Sequence, residues 1–456
     1  MMGSPVHARQ HATPHEKEAL EIYRTIVAYP THKGSGKVPE MARYLAGKFR
    51  DAGFPEADIH IVPVGETASL IVRYRGDGSG GKPILLMAHM DVVPANREDW
   101  EREPFTLVEE NGFFFGRGSS DDKAGVVALT AAFLRFKHEK FVPRRDLIIF
   151  FSGDEETEAK SVTAVIKDHR PLIEAEYAFN ADAGGGVLDE ADAKPVLFRV
   201  QGAEKTYADF ELTVRNRGGH SSRPRVDNAI YDLADVLTKI QAYRFPVMSN
   251  DWTLQDLAAA GKTVPGRVGQ ALSEFVANPV DGAAADILAA EPEYVGLTRT
   301  TCVATMLKGG HAENALPQSA AANVNCRIFP GTSIEGVKAT LQDLAGAATS
   351  IKVVGETSAS DASPMRKDVM DSIAGVVHRR YPGLPLVPYM SAGATDGKFF
   401  RAAGIPVYGV WFIFGKESEQ FAHGLNERIR VDQFYNSLED WHALLTDVAS
   451  KRTKAR

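Results

Sequence analysis

The chain has 456 residues, of which 44% are hydrophobic and 24% are charged, and its formal net charge is -7. A chain of this length exceeds one ordinary hydrophobic core, so the sequence predicts a globular protein of two domains. The acidic balance and the lack of a basic tract argue against a nucleic-acid partner, and no apolar run approaches the roughly 18 residues that span a bilayer.

The first elements are two helices and two strands. Helical spacing predicts helices over 16–28 and 38–52, and apolar patterning predicts strands over 59–64 and 69–74. The glycine-rich stretch Gly76–Lys82 matches two nucleotide-binding motifs on paper. A phosphate cradle follows a strand and opens a helix, whereas this loop leads into a strand. We therefore predict a flexible hairpin connection.

The next predicted strand leads directly to His89. Residues 84–87 form an apolar run typical of a parallel strand that is covered on both faces. Because a strand alternates faces, His89 and Asp91 are expected to point the same way. This places a possible metal ligand beside a carboxylate that can hold its second ring nitrogen. A lone histidine at a strand end is more often a packed or surface residue, so the carboxylates that follow decide the interpretation.

Carboxylates come next in the chain. Asp121 precedes a predicted helix over 124–137, where the alternative reading is a helix N-cap. The apolar strand predicted over 146–152 stops just before Glu155 and Glu156, where a charged loop is the alternative.

These residues are expected to meet in one place. A short strand that begins at Tyr177 ends at Asp182. The carboxyl ends of strands in an open α/β sheet line one crevice. Carboxylates collected there would repel one another and raise one another's pKa, and bound cations relieve that repulsion. Two cations that share one bridging carboxylate fit the number of candidate ligands better than one.

The middle of the chain has a different pattern. The predicted elements run in the order βαββαβ, which is the ferredoxin-like split unit. They are strands over 207–214, 302–307, 320–328 and 350–355 and helices over 228–243 and 333–345. We predict one domain in two parts, 1–204 and 359–456, with a second domain, 205–358, inserted between them. The stretch 245–297 lengthens the insert, and its role is left open.

The two cysteines, Cys302 and Cys326, flank the connection that contains Asn314. An antiparallel hairpin centred there would place them opposite each other. We hypothesise a disulfide, with two reduced core thiols as a nearly equal alternative. Pairing would favour an exported, periplasmic protein. The first residues contain no apolar signal-peptide core, so the location is periplasmic or secreted if a leader was removed and cytoplasmic otherwise.

Seven motifs in this order resemble the dinuclear zinc M20 metallopeptidase family, the group of carboxypeptidase G2, succinyl-diaminopimelate desuccinylase, aminoacylase-1 and carboxypeptidase S. They are Ala88–Asp91, Gly116–Lys123, Asp154–Glu156, Asp182, Gly218–Ser222, Asn314–Pro317 with Arg327, and His423–Glu427. The resemblance covers roughly residues 20 to 450. It implies a mixed, mostly parallel α/β sheet with helices on both faces, plus an inserted ferredoxin-like lid and dimerisation domain.

The resemblance also implies a ligand set. His89 and Asp182 would hold one zinc, Glu156 and His423 would hold the other, and Asp121 would bridge both. Nitrogen and oxygen ligands suit zinc and also Co²⁺ or Mn²⁺.

Further roles follow from the same resemblance. Glu155 would be the general base, Asp91 would orient His89, and the Asp121–Asp122 peptide bond would be cis. His220 would reach the active site from the lid domain, often across a homodimer. By spacing alone, His220 is more readily a turn histidine.

Three residues would bind the substrate. In the family, the residues that match Asn314 and Arg327 bind the oxyanion region and the free carboxylate of the substrate, although Arg327 could also be a surface arginine. Gly393 lies in a loop where Ala394 replaces the usual threonine, so backbone N–H groups near Gly393 would have to supply that contact.

Three functions are compatible with these residues. The first is a zinc carboxypeptidase or dipeptidase that acts on small peptides. The second is an N-acyl-amino-acid amidohydrolase of the aminoacylase type, which uses the same machinery. The third is a non-catalytic binding protein that has kept the fold, and the complete set of ligands argues against it.

Overall fold

The computed structural model describes residues 12–355 and 357–451, and the chain divides into two units. The first unit contains the residues up to Gly202, Ser363–Val387 and the residues from Thr395 onward. The second unit contains Ala203–Ala362 and Pro388–Ala394. The predicted boundaries lie after 204 and after 358, and they do not anticipate the separate segment 388–394.

The first unit is a three-layer α/β domain. Its helices are α1 (Pro14–Val27), α2 (Val38–Asp51), α3 (Lys123–His138), α4 (Lys160–Asp168), α5 (Arg170–Ile173), α12 (Lys367–Arg380), α13 (Gly397–Ala402) and α14 (Val431–Ser450). Its strands are β1 (Ile59–Val64), β2 (Thr67–Tyr74), β3 (Ile84–His89), β4 (Val108–Glu110), β5 (Phe113–Phe115), β6 (Leu147–Ser152), β7 (Tyr177–Asn180), β8 (Gly185–Leu188), β17 (Val407–Gly409), β18 (Phe414–Gly415) and β19 (Arg428–Arg430). Two more strands, β9 (Pro195–Glu204) and β16 (Leu386–Ser391), begin in this unit and end in the second.

The main sheet has ten strands in the order β1-β2-β6-β3-β7-β17-β9-β8-β18, with β16 beside β9. Its centre is parallel, because β3 pairs in parallel with β6 and with β7, and β17 pairs in parallel with β7. Every residue of β3 and β6 is buried. Helix α3 covers one face, while Met87 and Phe150 pack with residues of α4 and α13 on the other. The predicted α/β class is confirmed.

The predicted hairpin at Gly76–Lys82 is wrong. Strand β6 lies between β2 and β3, so the loop joins strands that are not neighbours. The loop runs beside the segment that precedes β6, where the Gly80 N–H donates to the Arg144 carbonyl at 2.6 Å. A Cβ atom at Gly76 would stand 2.6 Å from the Arg145 backbone. The close approach of the two backbones therefore explains the glycine at position 76, which in the sequence resembles part of a phosphate-binding motif.

The second unit contains a four-stranded antiparallel sheet in the order β12-β14-β10-β15. Its strands are β10 (Thr206–Arg215), β12 (Thr301–Gly309), β14 (Ser319–Ile328) and β15 (Thr349–Val354), with a separate ribbon of β11 (Gly219–His220) and β13 (Ala315–Leu316). Helices α6 (Ala229–Ala242) and α11 (Ile334–Ala345) share a core with this sheet. The order of elements and strands is that of the ferredoxin-like split unit.

The insert of the second unit is a group of four helices. They are α7 (Asp251–Ala260), α8 (Gly266–Ala277), α9 (Gly282–Ala289) and α10 (Pro292–Thr298). Leu257, Leu272, Phe275 and Leu288 form a core of their own among these helices. The stretch whose role the sequence left open is therefore a small helical module.

A disulfide joins Cys302 on β12 to Cys326 on β14, as hypothesised. The two residues are direct cross-strand partners, with Cα atoms 4.1 Å apart. Among the described residues, no helix combines the length and the apolar character that crossing a membrane requires. The cellular location stays a prediction.

Candidate metal centre

Three central strands of the first unit end at one edge of the sheet. Strand β3 ends at His89, β6 is followed by Glu155 and Glu156, and β7 is followed by Asp182. The parallel pairing of β3 with both neighbours places these three ends side by side. The expectation that carboxylates and an imidazole meet at this edge follows from the sheet itself.

Five side chains approach one another at this edge. Nε2 of His89 lies 2.8 Å from Oδ1 of Asp121 and 3.6 Å from Oδ1 of Asp182. On the other side, Nε2 of His423 lies 2.9 Å from Oε1 of Glu156 and 3.2 Å from Oδ2 of Asp121. One oxygen of Asp121 therefore faces each histidine, which is the geometry expected of a bridging carboxylate.

The backbone around Asp121 departs from regular structure. The peptide bond between Asp121 and Asp122 is cis, as predicted. Helix α3 begins after Asp122, and no side-chain hydrogen bond caps its first turn. The N-cap alternative for Asp121 is therefore not what the structure shows, and its carboxylate is directed toward the two histidines instead.

Asp91 contacts His89 differently from the prediction. Nδ1 of His89 lies 3.1 Å from the backbone carbonyl of Asp91 and 3.6 Å from its carboxylate. The two carboxylate oxygens accept hydrogen bonds from the N–H groups of Glu155 and Glu156, each at 3.0 Å. Asp91 thus orients the histidine through its backbone and holds the acidic pair through its side chain.

The electrostatics of the cluster reflect crowded carboxylates. Burial raises the pKa of Asp182 to about 6, and the neighbouring charges of Asp121 and Glu156 act in the same direction. Hydrogen bonds to the carboxylates of Asp121 and Glu156 raise the pKa of His423 to about 10. Burial would also raise the pKa of Asp121, but contact with His423 and His89 holds it below its ordinary value. Contact with a histidine therefore favours the ionised form of Asp121, whereas burial disfavours it in Asp182.

Two further acids belong to this region, and the sequence patterns predict no role for either. Asp122 is fully buried, its Oδ2 accepts from the His89 N–H at 3.4 Å, and burial raises its pKa well above the usual value. Asp396 is buried as well, and burial raises its pKa to about 7. Asp122 follows the predicted ligand Asp121 directly, and Asp396 lies three residues after Gly393, so their positions beside predicted site residues could have revealed them.

Glu155 stands next to the cluster without joining it. Its pKa is raised well above the usual value, first by burial and then by the charge of Asp182. No described hydrogen bond engages its side chain, whereas Glu156 contacts His423. The two adjacent acids therefore have different surroundings, as a division into base and ligand requires.

The donor set fits divalent metal ions. The ligand atoms of His89, Asp121 and Glu156 lie within 4.8 Å of one another, and so do those of His89, Asp122 and Asp182. Nitrogen and oxygen donors of this kind suit zinc, cobalt or manganese. Buried carboxylates with raised pKa values are the groups whose repulsion a cation relieves.

In the second unit, the ribbon places His220 opposite Ala315 and next to Asn314. The Asn314 carbonyl accepts from the Ser221 N–H at 3.0 Å. Nδ1 of His220 accepts from the backbone N–H of Ser222 at 3.2 Å and contacts the Ser222 hydroxyl at 2.9 Å. Because a backbone N–H can only donate, the neutral ring carries its proton on Nε2.

Arg327 and the loop that carries Gly393 are also together in the second unit. An Nη1 group of Arg327 donates to the Ala392 carbonyl at 2.9 Å, and the guanidinium lies 4.8 Å from the centre of the Tyr207 ring. The Gly393 N–H donates to the Ser391 hydroxyl at 3.0 Å. The backbone donor expected from Gly393 is thus already engaged, which leaves Arg327 as the main donor of this pair.

A cavity of about 140 Å³ opens onto the cluster within the first unit. Asp121 and Asp182 form its polar side. Its remaining lining is mostly apolar and comprises Ala181, Ala183, Trp411 and Ala422, together with Ser120. A small apolar group can therefore be accommodated beside the two carboxylates.

Known proteins are similar to this chain in sequence or in fold. The model of Peptidase family M20/M25/M40 matches residues 85–447. N-fatty-acyl-amino acid synthase/hydrolase PM20D1 of Homo sapiens is 30% identical over 384 residues, which cover 81% of this chain and 74% of that protein. The M20 family metallo-carboxypeptidase Sso-CP2 from Sulfolobus solfataricus is similar in structure, with a TM-score of 0.71, 20% identity, and coverage of 95% of this chain and 99% of that one. A dinuclear metal binding peptidase from the M20 family, of Bacillus subtilis, has a TM-score of 0.58 and 13% identity, with coverage of 95% and 98%.

Metal binding is expected to stabilise the protein, because it neutralises the buried carboxylates. Zinc added to chelator-treated protein at about 100 times its Kd should contribute about 2.7 kcal/mol and raise the unfolding temperature by several degrees. Differential scanning calorimetry with and without zinc measures this rise. Asp121→Asn should lose most of it, whereas Asp189→Asn, on the surface and outside the cluster, should keep it. An equal rise in both variants would contradict the site.

Proposed function

The chain belongs to peptidase family M20/M25/M40, and from this we propose that it is a dinuclear-zinc hydrolase that cleaves an amide bond next to a free carboxylate. The favoured activity is that of a carboxypeptidase or dipeptidase on small peptides. The observation that carries the proposal is the position of Asp121, whose two carboxylate oxygens face His89 and His423, with Glu155 unattached beside them.

We assign His89 and Asp182 to one metal ion and Glu156 and His423 to the other, with Asp121 between them. Zinc suits this set best among common ions, and cobalt or manganese could replace it. When bound, the ions supply Lewis acidity, which polarises the substrate carbonyl and makes water a nucleophile near neutral pH.

Glu155 is proposed to be the general base. It accepts a proton from the attacking water as the carbon–oxygen bond forms, and it delivers that proton to the nitrogen as the amide bond breaks. A carboxylate that served as a metal ligand could not do this. Asp91 supports the arrangement, because its bonds to the Glu155 and Glu156 N–H groups fix the backbone from which both side chains extend.

His220 and Asn314 are proposed to stabilise the oxyanion. With Nδ1 of His220 held as an acceptor by the Ser222 N–H, the Nε2–H group is available as a donor. A fixed donor aimed at developing negative charge lowers the barrier more than one that must reorient. Asn314 precedes the strand residue that pairs with His220, so the two side chains originate from neighbouring positions.

Arg327 is proposed to bind the free carboxylate of the substrate. Its guanidinium lies over the Tyr207 ring, 4.8 Å from the ring centre, and donates to the Ala392 carbonyl. A planar guanidinium matches a carboxylate with two parallel hydrogen bonds, which a lysine cannot do.

A second candidate function is hydrolysis of N-acyl amino acids. The human relative is named as an N-fatty-acyl-amino acid synthase/hydrolase, and it is 30% identical to this chain. The apolar cavity beside Asp121 and Asp182 suits an acyl group as well as an amino-acid side chain. Both candidates share the scissile amide and the carboxylate anchor.

We also propose that the protein is a homodimer through the second unit. The edge strand β12 exposes Val303, Met306 and Leu307, which are 60%, 60% and 67% accessible. Tyr231 of α6, a helix that packs against β12, is 64% accessible. An apolar surface that is continuous with an unpaired strand edge is the surface that a second copy of this chain would cover.

Glu155→Gln is expected to lower kcat by a factor of about 10² to 10⁴, because the amide cannot accept the proton. Both metal ions should stay bound, because Glu155 is not a ligand. Turnover and metal content measured on the same sample test both expectations. Glu158→Gln, an exposed acid in the same loop, is the matched control and should behave as the unchanged protein. Activity retained in Glu155→Gln would overturn the base assignment.

A substrate panel separates the two candidate functions. Dipeptides and N-acyl amino acids with a free carboxylate should be cleaved, whereas the same compounds with an amidated terminus should be poor substrates. Arg327→Met should raise KM for the substrates with a free carboxylate. The difference in KM between these substrates and the compounds with an amidated terminus should therefore become smaller. Arg379→Met, an exposed arginine of α12, should leave both unchanged. No preference for free acids in the unchanged protein would refute the carboxylate anchor.

Light scattering tests the dimer. The unchanged protein should show twice the mass of one chain, and Leu307→Lys should shift it toward the monomer, because a charge would be buried at the edge of β12. Val280→Lys alters an exposed apolar residue that lies outside this surface and should remain dimeric. A monomeric unchanged protein would rule out the dimer.

A further inference from the structure

A buried ion pair between Arg117 and Glu427 lies beside Asp121 of the candidate metal centre. The carboxylate of Glu427 is fully buried and accepts hydrogen bonds from the segment that leads to Asp121. The donors are Arg117 Nη1 at 2.8 Å, Gly118 N at 2.9 Å, Ser120 N at 2.7 Å, Ser120 Oγ at 3.0 Å and Asp121 N at 3.0 Å. Three of these are backbone N–H groups that surround one carboxylate, so the side chain of Glu427 defines the path of this segment.

Arg117 extends the contact to the other segment. While Nη1 binds Glu427, Nη2 donates to the carbonyls of His423 at 3.3 Å and Gly424 at 3.2 Å. His423 has a left-handed backbone, with φ of 62°, and its side chain is 55% exposed. The guanidinium thus holds the backbone of a residue whose side chain has little packing of its own.

Stability does not explain this pair. Both side chains are almost fully buried, and burial raises the pKa of Glu427. Replacing a buried ion pair with apolar side chains is often neutral or stabilising, so desolvation offsets most of the attraction. What an apolar pair could not supply is the set of hydrogen bonds that join two segments more than 300 residues apart.

We propose that Arg117 and Glu427 are positioning residues that set the distance between Asp121 and His423, and that they thereby tune the affinity of one metal position. This inference rests on the proposed dinuclear site. His89 and Asp182 follow directly from strands β3 and β7, so the sheet itself fixes their position. His423 lies on a loop, and the position that it shares with Glu156 depends on the pair.

The test is zinc affinity measured by chelator competition, with the visible absorption of the Co²⁺-substituted protein as a spectroscopic signature. Glu427→Gln should weaken one of two zinc equivalents about 10- to 100-fold, the range typical for residues that support metal ligands, and should weaken the other much less, because only Asp121 is common to both. Arg117→Lys keeps the charge beside Glu427 but loses the donors to the His423 carbonyl, so it should weaken the same equivalent. The Co²⁺ spectrum should change most in the absorption that develops as that equivalent binds.

Glu176→Gln is the matched control. It removes a carboxylate that pairs with Arg145 and Arg366 at the opposite end of β7, and both zinc affinities should persist. If Glu427→Gln does not fold, Arg117→Lys decides. Two zinc equivalents of unchanged affinity in Arg117→Lys, or equal weakening of both, would overturn the inference alone. Absence of zinc binding in the unchanged protein would instead overturn the proposed function, and the inference with it.

Discussion

Mutual repulsion among buried carboxylates is the constraint on which the active region depends. Parallel strands β6, β3 and β7 end at one edge, and the chain places an acid or a histidine after each of them. Away from water, several ionised carboxylates cannot remain close together unless positive charge stands between them. Asp121 satisfies this by facing an imidazole on each side. A divalent ion is the natural partner for the acids that remain.

Local patterning predicted much of the fold. Apolar runs identified β3 and β6, and the order of helices and strands identified the ferredoxin-like unit. The order of the strands in the sheet could not be predicted, because nothing in the sequence shows that β6 lies between β2 and β3. For that reason, the sequence predicts a hairpin at Gly76 where the structure has none.

The candidate site shows the same limit. His89, Glu156, Asp182 and His423 were found because each stands in a short motif. The hydrogen bonds around these four residues cannot be predicted from the motifs. Asp91 uses its backbone on His89 and its side chain on the acidic pair, a distinction that requires coordinates. Glu427 ends the motif that begins at His423, yet its partner Arg117 is 310 positions away, and no periodicity connects the two.

The helical module of the second unit has a consequence for how this fold varies. Its four helices bury Leu257, Leu272, Phe275 and Leu288 among themselves. Its attachment includes the Nζ of Lys205, which donates to the Arg299 carbonyl just after α10. Because the module has a hydrophobic core of its own, its folding depends little on packing against the sheet to which it is attached. Evolution or an engineer could therefore shorten, exchange or graft the module without redesigning the domain beneath it.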